Sequence, residues 1–97
     1  MKLSQEDLGV LASYFRDKPV LRAFLFGSYA RGEALAESDV DILLELDYSK
    51  HIGLGFVAMK LDLEDLLHKK IDLISGSSLS THIAPFIHKD KQLIYER

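Results

Sequence analysis

Apolar positions recur along the chain in two rhythms, one of three to four residues and one of two, and the switches between them mark the elements. Leu8, Leu11, Ala12 and Phe15 follow Ser4 at helical spacing, with Asp7 in the first turn, which predicts a capped helix running to about Asp17. Lys18-Pro19 stops it. Val20 to Phe26 (VLRAFLF) is mostly apolar and bounded by Gly27, the pattern of a buried strand. After a polar segment, Asp39 to Asp47 alternates with a period of two: Val40, Ile42, Leu44 and Leu46 are expected to face the core, and Asp39, Asp41, Leu43 and Glu45 the opposite side. Residues 52–68 read as a second helix with Phe56, Met59, Leu63, Leu66 and Leu67 on one side and Leu54 and Leu61 widening the stripe, although Gly53 and Gly55 weaken its start. Lys70 to Ile74 is a third strand. A turn at Gly76 to Ser78 leads into a last amphipathic helix from Ser80 to about Lys89, followed by a short strand from Gln92 to Tyr95. This order predicts an α/β (α+β) fold, a small mixed sheet flanked by helices.

Composition narrows the classes. The 97 residues suit a single domain, 1–97, too small to hold a second, acceptor-binding unit, and 47% apolar with 28% charged residues is the composition of a chain that folds. There is no cysteine, which removes disulfides, thiolate-bound zinc and thiol catalysis and fits a reducing compartment such as the cytoplasm. No apolar run approaches membrane-spanning length, and the start MKLSQEDLGV has no long apolar core, so neither insertion nor export is expected. A formal charge of -3 argues against a broad nucleic-acid footprint.

The segment FGSYARGEALAESDVDILLEL, residues 26–46, carries the candidate chemistry. Residues two apart on a strand share a face at a spacing of about 6.5 to 7 Å, so Asp39 and Asp41 can turn toward one point. Two carboxylates so placed repel each other unless a cation joins them, and Mg²⁺ is held by carboxylates together with substrate phosphates. Asp72, the acidic residue inside the third strand, is the candidate third carboxylate, with Ile71 and Leu73 facing away from it. At Gly27-Ser28, glycine lets the backbone approach a phosphate, and a helix beginning at Ser28 aims N–H groups at it. Arg31 adds positive charge. Taken singly, each feature has a plainer reading: a solvated strand end, an ordinary turn, or a surface ion pair of Arg31 with Glu33 or Glu37. His51, His68, His82 and His88 lack metal-ligand spacing and read as surface residues.

In sequence order, Gly-Ser, the eleven-position step from Ser28 to Asp39, SDVD and a later IDL resemble the nucleotidyltransferase signature of the DNA polymerase β superfamily. GSYARG narrows the resemblance to the minimal nucleotidyltransferases (MNT proteins), over about Leu21 to Ile74. That resemblance implies a polymerase β palm-like nucleotidyltransferase fold, with Mg²⁺ on Asp39 and Asp41, Asp72 as the third carboxylate, and the triphosphate on Gly27 and Ser28, with Arg31 near. It further implies ATP as donor of AMP to a hydroxyl on a HEPN-domain toxin, for which such proteins serve as antitoxin. Neutralisation of the toxin by binding alone is the alternative. The second helix and Ile83, Phe86 and Ile87 are candidate docking positions, with core packing the favoured reading for most of these side chains, and self-association or association with a HEPN dimer stays open.

Overall fold

The computed structural model describes residues 1–76, 82 and 84–97. Helix α1 (Gln5–Phe15) starts where Ser4 caps it, the hydroxyl accepting from the Asp7 N–H at 3.0 Å. Glu6 and Asp7 in its first turn complement the helix dipole. The chain then turns at Lys18-Pro19 into β1 (Val20–Phe26). A single helical turn, α2 (Ser28–Arg31), and a polar loop lead to β2 (Val40–Leu46). Helix α3 (Gly55–Leu67), β3 (Ile71–Ser75), α4 (Ala84–Asp90) and β4 (Gln92–Glu96) complete the order.

The sheet order is β3-β2-β1-β4. β1 runs antiparallel to both β2 and β4, whereas β2 and β3 are parallel. A parallel neighbour needs a crossover, and α3 supplies it. Leu11, Phe15, Met59, Leu63 and Leu67 from α1 and α3 join Ala23, Leu25, Val40, Ile42, Leu44, Ile71 and Leu73 in one buried cluster. Leu43 and Ile87 are also buried but lie outside that cluster. By strand alternation Leu43 belongs to the opposite face, the face of Asp41. No helix among the described residues is long and apolar enough to cross a membrane.

Two boundaries depart clearly from the sequence expectation. The second helix begins at Gly55 rather than at residue 52, because Gly53 has φ 48°, a left-handed turn that no helix continues through. Its apolar stripe is wider than its buried face: Leu54, Leu61 and Leu66 are exposed. The third strand is shifted by one residue, to Ile71–Ser75. The expected start of the last helix at Ser80, most of the turn before it, and Ile83 lie outside the described residues.

Candidate active site

The parallel register places Asp41 directly beside Asp72, and the antiparallel register places it beside Phe26 on its other flank. Neighbouring strands lie about 4.8 Å apart, so the two aspartates stand side by side on one face. Asp39 sits just before the start of β2, half-buried like Asp41, and Asp72 is exposed. The sequence-predicted trio is therefore gathered at one end of the sheet.

Its electrostatics show a shortage of positive charge. Burial first, and then the charges of Asp72 and Asp39, push the Asp41 carboxyl up from 3.8 to about 6, with Arg31 pulling the other way. Among the described residues no three His, Asp or Glu side chains form a cage for a cation on their own. An oxygen-only donor set with a surplus of negative charge, open on one side, fits Mg²⁺, which is held by few carboxylates and completed by substrate phosphates and water.

Gly27 forms the other wall. It has φ 74°, and a Cβ built there would run into Asp41 Oδ2, with Asp41 Cγ at 3.2 Å. The backbone of Gly27 thus lies against the carboxylate, a contact no other residue allows. The Gly27 carbonyl accepts from the N–H groups of Ala30 and Arg31, both at 3.1 Å, closing α2 as a single turn. The N–H groups at the start of that turn precede any intrahelical acceptor and remain for a ligand. Tyr29 and Ala30, both buried, fix the turn to the core.

Arg31 is engaged by two carboxylates, Glu33 at 3.2 Å and Asp90 at 2.8 Å. The pairing with Glu33 is the one foreseen from sequence; that with Glu37 is replaced by Asp90. Gln92 Nε2 donates to the Ala30 carbonyl at 2.9 Å. Asp90 and Gln92 therefore hold the glycine-serine turn from the far end of the chain, and with nothing local to mark them the sequence could not point to either. A cavity of about 330 Å³ opens behind the turn, lined by Leu3, Leu25, Tyr29 and Gln92 among others. Leu25 lies on the core face, so this cavity is separate from the carboxylates. His51, His68, His82 and His88 are all exposed, as expected.

The family described as Polymerase beta, Nucleotidyltransferase matches residues 10–97. This chain belongs to it. The protein adenylyltransferase MntA of Thermococcus cleftensis is 41% identical over 66 residues, covering 68% of this chain and 66% of that one. The chain spans roughly two thirds of the length of the curated relatives it matches, 63% and 66% for the first two. Among solved structures, a toxin–antitoxin with AMP-PNP superposes with a TM-score of 0.75 at 19% identity, covering 97% of this chain and 75% of that one. A tri-AMPylated Shewanella oneidensis HEPN toxin in complex with MNT antitoxin gives 0.74 at 18% identity, covering 98% and 74%. At such identities these likenesses show a shared fold, and the family match gives it as the polymerase β nucleotidyltransferase fold, in agreement with the resemblance read from GSYARG and SDVD.

Proposed function

We propose that residues 1–97 act as one minimal nucleotidyltransferase domain that moves AMP from ATP to a hydroxyl of a partner protein, a HEPN-domain toxin, and so serves as its antitoxin. The observation that carries this reading is the meeting of the Gly27 backbone, the Asp41 carboxylate and Asp72 at one end of the sheet. The Thermococcus relative named as an adenylyltransferase and the fold shared with the MNT antitoxin of an AMPylated toxin supply the substrate class. An ATP-consuming reaction of this kind belongs in the cytoplasm.

Asp39, Asp41 and Asp72 would hold Mg²⁺, which when bound offsets the negative charge of the phosphates and of the departing pyrophosphate. The chain's own residues do the rest. The turn at Gly27 and Ser28 offers N–H groups and a hydroxyl to the phosphates. Arg31, tied to Glu33 and Asp90, keeps positive charge beside the carboxylates. Asp72, the most open of the three, orients the incoming hydroxyl and takes its proton. The acceptor oxygen forms a bond to the α-phosphorus while the bond from that phosphorus to the bridging oxygen breaks, and pyrophosphate leaves. A domain of this size meets its acceptor by letting the partner supply the recognition surface.

Intact-mass spectrometry of the HEPN partner after incubation with ATP and Mg²⁺ tests the reading. A gain of whole AMP units with the native chain, absent with Asp41→Asn, is the expected outcome. A partner that stays unmodified while bound and inactive would overturn transfer in favour of neutralisation by binding.

A further inference from the structure

Arg31 ends the α2 turn, and two carboxylates grip its guanidinium. Nε donates to Glu33 at 3.2 Å and Nη1 to Asp90 at 2.8 Å, while Nη2 makes no hydrogen bond among the described residues. Counted together with these two carboxylates, the guanidinium offers no net positive charge at a distance. At short range it still acts, working against the charges of Asp39 and Asp72 on Asp41. A planar fork of donors so neutralised serves a phosphate through the direction of its remaining N–H groups, so its aim matters more than its charge.

The two grips are unequal. Glu33 lies in the loop just beyond the turn with its side chain 66% exposed, whereas that of Asp90 is 22% exposed. Asp90 also stands on fixed scaffold on both sides. Before it, α4 is anchored by the buried Ile87, whose carbonyl accepts from the Lys91 N–H at 2.9 Å. After it, β4 is paired with β1, with Gln92 beside Leu25 and the Gln92 side chain donating to the Ala30 carbonyl. The junction of α4 and β4 therefore touches the α2 turn twice, once on its backbone and once on its charged side chain. An ion pair between partly exposed groups adds little to stability, so holding the fold is a poor account of the contact with Asp90.

We propose that Asp90 is a positioning residue for a nucleoside triphosphate: it fixes the plane of the Arg31 guanidinium so that the unoccupied Nη2 edge meets the phosphates, and Glu33 contributes less. The proposal rests on the reading of the Gly27-Ser28 turn as the phosphate seat. Asp90 itself touches no phosphate and acts through Arg31 alone.

Calorimetric titration of ATP with Mg²⁺ into the full chain tests it by a double-mutant cycle. Asp90→Asn should weaken ATP binding about tenfold with an unchanged melting temperature, and Asp90→Glu should recover part of the loss. Glu33→Gln should cost less than Asp90→Asn. In the background of Arg31→Gln, Asp90→Asn should have no further effect. Native-strength ATP binding by Asp90→Asn overturns the proposal. So does a loss that adds in full to that of Arg31→Gln, or one that comes with a lowered melting temperature, since either makes the role of Asp90 structural. A native chain that binds no ATP overturns the phosphate seat and the proposal with it, an outcome distinct from native binding that ignores Asp90.

Discussion

The two faces of the sheet obey different rules although the same strands build both. On the core face, Ile42 and Leu44 of β2 are fully buried among the side chains of α1 and α3, and their contribution is burial. On the other face, Asp41 stands between them in sequence and is destabilised by its surroundings, half-buried beside two like charges. One strand thus carries the fold on its even positions and a cost to the fold on an odd one. Residues that stabilise and residues that act can be one position apart and still be independent, because the pleat sends them to opposite solvents.

Substitutions at adjacent positions should separate the two roles. Asp41→Asn is expected to lower nucleotide transfer by about a hundredfold or more, measured as AMP incorporation into the partner. The same variant should melt no lower than the native chain when metal-free. Ile42→Ala should do the reverse, costing about 2 to 5 kcal/mol of stability in chemical denaturation, with transfer retained by the molecules that remain folded. Equal losses of stability in both variants would break the distinction between the faces.

The acid–base behaviour sharpens it. The folded-state value for Asp41 is raised to about 6 from 3.8, so the folded state binds this proton more tightly than the unfolded chain does. Stability from this group is therefore complete below about pH 4 and is lost as pH rises through about 6. Solvent screening at this half-exposed site reduces the effect to about 1 kcal/mol. Thermal melts of the metal-free chain between those pH values should show the decline, Asp41→Asn should abolish it, and Mg²⁺ should recover stability at the upper end. An effect of similar size is expected of Gln92→Ala, which removes the hydrogen bond to the Ala30 carbonyl and should cost about 0.5 to 1.5 kcal/mol, with a weaker affinity for ATP measured by calorimetry as the α2 turn loosens.

How far the sequence reveals this arrangement depends on distance along the chain. The Ser4 cap, the alternation of β2 and the Gly27-Ser28 turn are local, and local chemistry decides them. The side-by-side placement of Asp41 and Asp72 is not, since the register of a parallel pair is set by how α3 packs on the sheet, and one residue of slip would have turned Asp72 inward. The hold of Asp90 and Gln92 on α2 spans 59 and 62 residues and leaves no trace in spacing. The apolar stripe of α3 is wider than its buried face for a different reason. A helix laid on a sheet buries one narrow face, so an apolar stripe wide enough to include Leu54 and Leu61 says that something is covered without saying by what.

Once the packing of α3 has set the register, the separation of Asp41 from Asp72 is fixed by backbone hydrogen bonding between neighbouring strands. Such a ruler does not stretch when the core drifts. Exchanging leucine for isoleucine or methionine beneath the sheet should trade small amounts of stability while the spacing of the acidic pair stays constant. The interior is left tolerant of change by the same hydrogen bonds that keep the reactive edge invariant.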